Sequence, residues 1–243
     1  MYHIWCRDIH YWSQNFNQLG EYSQLLAQSF NQVVWSQITL NNARDNVRHR
    51  LYLQHPISFP YGTVGTDISE LLTHMIKNQN ILGTSIEICS NCQHEHELEI
   101  TPSSMMFITS SEFKSTNNTF LNWQDAKGLC ERCEGITTIK QRYNQNPGII
   151  AFSIQVGKIS INKIIQVTQA HGPSITLPLK GIIYMSNHHF SIRIVTSQKK
   201  IWFHDGIATG STCIYEGLLS DFSDKTLQKH NNSLAVGAIY AKN

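Results

Sequence analysis

The chain has no apolar run long enough to cross a bilayer. A spanning helix needs about 20 mostly apolar residues, and the longest apolar stretches here are of the length of Gly148-Ile149-Ile150-Ala151-Phe152. A secretory leader is also missing from the sequence. Met1-Tyr2-His3-Ile4-Trp5-Cys6 carries neither a basic segment nor a long apolar one. Charge is scarce: 19 Lys and Arg stand against 17 Asp and Glu, a net charge of +2, with 15% charged residues in all. Such a near-neutral chain offers no broad positive field for a polyanion, so neither nucleic acid nor membrane is an expected partner. No internal repeat and no true low-complexity run is present. Hydrophobic residues make up 41% of 243 positions, which excludes a disordered or collagenous chain. The length suits one large domain or two small ones.

Six cysteines remain to be placed: Cys6, Cys89, Cys92, Cys130, Cys133 and Cys213. A disulfide framework is uncommon in a chain of this length without an export signal, so a reducing compartment, cytoplasm or nucleus, is expected. Four of the six form two Cys-x-x-Cys pairs, Cys89-Ser-Asn-Cys92 and Cys130-Glu-Arg-Cys133. Two such turns can bring four thiolates to the corners of a tetrahedron, the geometry Zn²⁺ prefers. Four thiolates leave no open coordination position, so the expected Zn²⁺ is structural and not catalytic. Gly135 is expected to ease the second turn. His94 and His96 follow the first pair and read as loop residues.

Three textures succeed one another along the chain. Tyr2, Trp5, Ile9, Trp12, Phe16 and Leu19 recur at steps of three and four, which predicts one helix face with Cys6 inside it. A second helix is expected over Tyr22–Val34. A third is capped by Thr39, with Leu40, Ala43, Val47 and Leu51 on one face. Asp67-x-x-Glu70 reads as a capping box ahead of Leu71, Leu72, Met75 and Ile76. Short strands follow around the cysteines: Thr84–Ile88, Leu98–Ile100 and Met105–Ile108. Clearer strands come after Pro147-Gly148: Ile149–Ile154, Ile175–Leu177, Gly181–Met185, Phe190–Val195, Lys200–Phe203 and Leu234–Ala241. Helices, then a cysteine-bearing β insertion, then an antiparallel sheet define an α+β layout, not alternating βαβ units.

The most chemical segment runs from Asn187-His188-His189-Phe190 to Trp202-Phe203-His204-Asp205-Gly206. Alternation of Phe190, Ile192 and Ile194 marks a strand with one buried face. A turn centred near Ser197 would set Ile192 opposite Trp202, Arg193 opposite Ile201 and His189 opposite Asp205. A carboxylate beside an imidazole can fix its tautomer for general-base work, and it can equally be a structural polar pair. Consecutive His188 and His189 point to opposite strand faces, which argues against a joint metal site.

Taken together, these segments resemble the ubiquitin-specific protease type of deubiquitinase, a papain-like cysteine peptidase built of thumb, fingers and palm. Leu179-Lys180-Gly181-Ile182-Ile183-Tyr184 is similar to the strand that enters the family's His box, and Asn187-His188-His189-Phe190 is similar to the box itself. Trp202-Phe203-His204-Asp205 resembles the box of the third catalytic residue, and Ala238-Ile239-Tyr240 the terminal strand. The Leu40–Leu51 helix and Phe59-Pro60-Tyr61-Gly62 resemble fungal members. The resemblance implies one domain over 1–243. Within it, 1–80 would be a partial helical thumb, 81–146 the fingers with Zn²⁺ on Cys89, Cys92, Cys130 and Cys133, and 147–243 an antiparallel palm. It further implies His189 as base, Asp205 as its orienter, and ubiquitin or a ubiquitin-like protein as partner.

Three features depart from the family pattern, one of them the short loop between Tyr184 and His188. The spacing from Trp202 to Asp205 is one residue shorter than in many members. No Asn-rich box with a nucleophilic Cys opens a helix, so the chain reads as an N-terminally truncated member. Cys6 and Cys213 read as structural thiols. Three functions are therefore open: a thiol-dependent ubiquitin hydrolase domain lacking its nucleophile, a ubiquitin-binding pseudo-protease, and a zinc-ribbon protein that binds nucleic acid.

Overall fold

The computed structural model describes residues 1–62 (His3 by its backbone alone), 65–77, 82–98, 103–109, 115–117, 128–144, 146–155, 159–187 and 189–243. Helices come first. The apolar period of the N-terminus is carried by two helices, α1 (Tyr2–Trp5) and α2 (Ile9–Gln18), where the sequence predicted one. Cys6 closes α1, and Asp8 caps α2 by accepting the Tyr11 N–H at 2.9 Å. The cap satisfies one of the donors that every helix start leaves open. Trp5, Trp12, Phe16 and Leu19 of the expected face stay buried across the break, while Ile9, at the start of α2, is exposed.

Gly20, at φ +101°, enters α3 (Glu21–Val34) in a conformation that side chains resist. Thr39 and Asn42 cap α4 (Leu40–Gln54) reciprocally. Ala43, Val47 and Leu51 are buried there, while Leu40 is exposed. Asp67 caps α5 (Ile68–Met75), but Glu70 does not close the expected box and instead accepts from the Ser58 hydroxyl at 2.8 Å.

Two sheets follow. A three-stranded antiparallel sheet, in the order β2-β1-β4, is made of β1 (Gly83–Cys89), β2 (Glu95–Leu98) and β4 (Thr137–Tyr143). The expected strand at Leu98–Ile100 and the polar stretch Ser110–Asn118 fall largely outside the described residues. The large sheet contains β3 (Met105–Ile108), β5 (Ile149–Ile154), β7 (Ile175–Ser186), β8 (His189–Val195), β9 (Lys200–His204), β10 (Ile214–Leu218) and β12 (Ser233–Ala241), in the order β10-β9-β8-β7-β12-β5-β3. β6 (Ile164–Val167) pairs with β7, and β11 (Lys229–His230) with β12.

This sheet is not wholly antiparallel, since β3 runs parallel to β5. The two expected strands Ile175–Leu177 and Gly181–Met185 are one, running through Pro178. Proline is tolerated there because pairing with β12 begins only at Leu179, so no ladder bond is demanded of its missing N–H.

β5 explains where the core lies. All six of its residues are buried. Ile150, Phe152 and Ile154 enter one apolar cluster with Tyr184, Ile201 and Leu227, while Ile149 and Ala151 enter a second cluster with Trp5, Phe16 and Phe30 from the helices. The helices thus cover one face of the sheet. A strand buried on both faces needs a continuous apolar run, which Ile-Ile-Ala-Phe-Ser-Ile nearly supplies.

A buried polar knot ties β8 to the strands and turns beyond it. Arg193 Nε donates to Glu216 Oε2 at 2.6 Å, and its Nη1 donates to the Tyr184 hydroxyl at 3.0 Å. The same Nη1 reaches the carbonyls of Thr226 and Lys229. His230 Nε2 lies 3.1 Å from Glu216 Oε1, and its ring stacks on Phe203 with centroids 3.8 Å apart. The Arg193 and Glu216 side chains are only 7% and 18% exposed. Removing one partner from a buried pair strands the other charge. Glu216→Ala should therefore lower stability by about 3–5 kcal/mol in urea unfolding. The apolar double variant Arg193→Met/Glu216→Leu should recover most of that loss.

Candidate functional site

The β8–β9 hairpin positions the first candidate group. Its loop is Ser197–Lys199, closed by the Thr196 N–H on the Lys200 carbonyl at 2.9 Å and the Lys199 N–H on the Thr196 carbonyl at 3.0 Å. Lys199 sits at φ +59°, the left-handed third residue usual in three-residue hairpin loops. The loop centre is therefore one residue later than the sequence suggested. Ile192 pairs with His204 and Val195 with Ile201, where Ile192 was expected opposite Trp202. A shift of two in pairing keeps every side chain on its face. Asp205 consequently lies diagonal to His189, one residue past the end of β9, and still within reach.

His189 Nε2 and Asp205 Oδ1 are 2.7 Å apart. The same carboxylate oxygen accepts the backbone N–H of Ile207 at 2.9 Å and of Ala208 at 3.0 Å. The Asp205 N–H in turn donates to the Thr209 hydroxyl at 3.1 Å. The Ala208 N–H, together with His189 and the Ile207 N–H, holds the Asp205 carboxyl below its ordinary value of 3.8. A carboxylate so held is an acceptor only, so Nε2 of His189 bears the hydrogen of this contact, which in a neutral ring makes Nδ1 the acceptor. The side chains are 34% and 17% exposed, which leaves the pair open to a reactant. His188 lies outside the described residues. The amides of Ile207 and Ala208 are site residues that the sequence reading missed. The Asp-Gly start of Asp205-Gly206-Ile207-Ala208-Thr209 is the signal that could have found them, because Asp binds the amides two and three residues ahead in such turns.

The second group is the cysteine quartet. Cys89 ends β1, Cys92 follows in its turn, and Cys130 and Cys133 form the facing turn ahead of β4. The four sulfurs lie within 4.8 Å of one another, with Cys89 and Cys133 sulfurs at 3.5 Å and those of Cys92 and Cys130 at 3.7 Å. Metal–sulfur bonds of about 2.3 Å to a common centre set tetrahedral edges of about 3.8 Å, so these spacings suit a four-thiolate metal site. The N–H groups of Asn91 and Cys92 both point at the Cys89 sulfur at 3.4 Å. The Cys92 N–H first, then that of Asn91, draws the Cys89 thiol down to about 6. At Cys92 the His94 N–H pulls the same way, yet the neighbouring thiols of Cys133, Cys89 and Cys130 push it up to about 12. Sulfurs this close compete for protons, and a bound cation ends the competition by taking thiolates alone.

The two turns are built alike. The residue after each pair, Gln93 and Glu134, has φ +56°. Gly135 itself needs no positive φ. A Cβ there would lie 2.7 Å from the Asn91 Cβ and 3.0 Å from the Cys89 sulfur. Its role is space beside the cysteine sulfurs, not the turn geometry expected from sequence.

Cys6 and Cys213 are exposed and stand apart from the quartet. Cys6 closes α1, with its N–H on the Tyr2 carbonyl at 3.0 Å, and so does not lie inside a helix as its spacing suggested. Among the described residues no thiol hydrogen-bonds His189.

No family model matches the chain, and no curated protein matches it in sequence. Solved structures do. A chain of the SAGA DUB module Ubp8/Sgf11/Sus1/Sgf73 bound to ubiquitin aldehyde superposes with a TM-score of 0.55 at 10% identity, covering 94% of this chain and 62% of that one. The module with a variant Ubp8, bound to monoubiquitin, gives 0.56 at 12% identity, covering 94% and 61%. The chain thus shares its fold with the matched chains of these DUB modules and spans about three fifths of their length.

Metal analysis of protein purified without chelator should return about one divalent ion per chain. Cys130→Ser should release it and unfold the β2-β1-β4 sheet, seen as loss of amide-exchange protection over Gly83–Cys89.

Proposed function

We propose that this chain is a ubiquitin-specific protease-like module that binds ubiquitin or a ubiquitin-like protein. In this reading it carries the base and orienter of a thiol-dependent hydrolytic site, and its quartet binds structural Zn²⁺. The observation that carries the reading is the His189–Asp205 contact of 2.7 Å, in a fold similar to modules solved with ubiquitin and ubiquitin aldehyde. Four thiolates with no other donor favour zinc over hard cations.

The chemistry follows from the imidazole. With Nε2–H held by Asp205, Nδ1 takes the proton of a thiol, and the thiolate adds to the carbonyl carbon of ubiquitin's terminal glycine, breaking that carbon's bond to the amine that follows. The leaving amine takes that proton back, and water, deprotonated by the same nitrogen, cleaves the thioester. None of this chain's own six thiols is the proposed nucleophile. Four are the metal quartet, Cys213 is exposed and makes no hydrogen bond to His189 among the described residues, and the N–H of Cys6 is spent on α1 and so cannot hold an oxyanion. Loss of a nucleophile that works as a unit with its base costs about 10⁶-fold in kcat. The chain by itself is therefore read as a binder, and its unpaired cysteines support the proposal of a reducing compartment, cytoplasm or nucleus.

Two measurements on the 243-residue chain test this. Fluorescent ubiquitin should bind with a Kd of about 1–100 µM. Ubiquitin bearing a C-terminal electrophile should bind without forming an adduct. An adduct at Cys6, lost in His189→Ala, would overturn the nucleophile assignment, and absence of binding to ubiquitin and to ubiquitin-like proteins would overturn the reading as a whole.

A further inference from the structure

At the end of β8 away from His189, six residues and about 20 Å along the strand, lies a cavity of about 600 Å³. Lys163, Lys180, Lys199 and Lys242 line it with no described carboxylate side chain, the one anionic group of the lining being the α-carboxylate of Asn243; Lys163 Nζ donates to the Ser220 carbonyl at 3.4 Å and Lys242 Nζ lies over the Tyr11 ring at 4.6 Å. Arg7 reaches the same corner. Its Nη1 donates to the Asn243 side-chain oxygen at 3.2 Å, and Lys180 Nζ donates to that same oxygen at 2.8 Å. Two cations thus share one neutral acceptor. Among the described residues, none of these five cations is in an ion pair. The nearby Asp221 carboxylate is turned to the Leu218 N–H and the Ser220 hydroxyl.

Lys180 is the unusual member. Its residue is only 4% exposed, and its ammonium has three donors, of which one has a recorded partner. Burial, and then the charge of Arg7, draws its pKa down to about 8. Buried lysines are ordinarily paired. The net charge of the whole chain, +2, conceals this local excess.

We propose that this cavity binds a small organic phosphate, with Lys180 at its floor and Lys163 and Lys199 at its rim. Several ammonium groups spread around a hollow suit a tetrahedral phosphate better than a planar carboxylate, which favours the flat fork of Arg. The volume exceeds what one inorganic phosphate fills and falls within the range of small-molecule sites. Leu179 and Val195 in its wall offer apolar contact to a carbon skeleton. The inference is independent of the ubiquitin reading, since it uses none of the residues of that site.

Calorimetric titration of the metal-loaded chain with fructose 1,6-bisphosphate, at pH 7 and low salt, tests it. One saturable site with a Kd of about 0.1 mM or tighter is expected. Lys180→Met should weaken it about tenfold or more, and Lys199→Gln, at the exposed rim where folding is not at stake, severalfold. Inorganic phosphate binding as tightly as the bisphosphate, with the same dependence on Lys180, would support the site and name free phosphate as its ligand. No saturation up to 10 mM, roughly the weak limit for a specific small-ligand site, would overturn the proposal. So would affinity unchanged in both variants, or binding of polyglutamate alone, which would point to an acidic polypeptide instead.

Discussion

Much of the candidate site depends on the three-residue turn between β8 and β9. By closing Thr196 onto Lys200 and admitting Lys199 at positive φ, it fixes which residues of the two strands meet. At one end of the hairpin this brings Asp205 diagonally to His189. In the middle it sets Arg193 beside Phe203, on which His230 stacks, so that Arg193, Glu216 and His230 can close into one polar knot. A slip of one residue along one strand would move every side chain of that strand to the other face, undoing the dyad and the knot together. The knot and the apolar residues of the sheet hold the hairpin, and the hairpin holds the imidazole.

Asp205 adds a second layer of positioning. Its carboxylate is oriented by the amides of Ile207 and Ala208 before it meets His189. The histidine therefore meets an acceptor whose direction is set by backbone, not by a freely rotating side chain. Fixed dipoles of this kind cost no reorganisation when charge develops on the ring. The cysteine quartet works by the same economy: backbone N–H groups aim at the Cys89 sulfur, and Gly135 clears the space beside it.

The parts legible in the sequence were those in which a short local pattern determines geometry. Two Cys-x-x-Cys turns gave the quartet, the Thr39 and Asp67 caps gave two helix starts, and alternation of Phe190, Ile192 and Ile194 gave the key strand but not its buried face, since Ser191, Arg193 and Val195 are buried there and the three apolar residues only half-buried. Non-local determinants were not legible. The Cys6 break was hidden because two helices kept one apolar period. β10 was missed because Ile-Tyr-Glu-Gly-Leu is interrupted by Gly217, where the pairing register shifts. Arg193 on a strand predicts solvent exposure, and its burial depends on Glu216 arriving from 23 residues away. The hairpin register was misjudged by one turn position, because the choice of loop centre rests on which residue accepts a positive φ.

The proposed binding of ubiquitin sets its C-terminal tail beside His189. A titration of ¹⁵N-labelled ubiquitin with the chain, read by amide chemical shifts, tests it most directly. The account predicts shifts in ubiquitin's C-terminal residues that saturate with the ligand and diminish in the His189→Ala and Asp205→Ala variants. Shifts confined to surfaces away from the tail, or none at all, would contradict it.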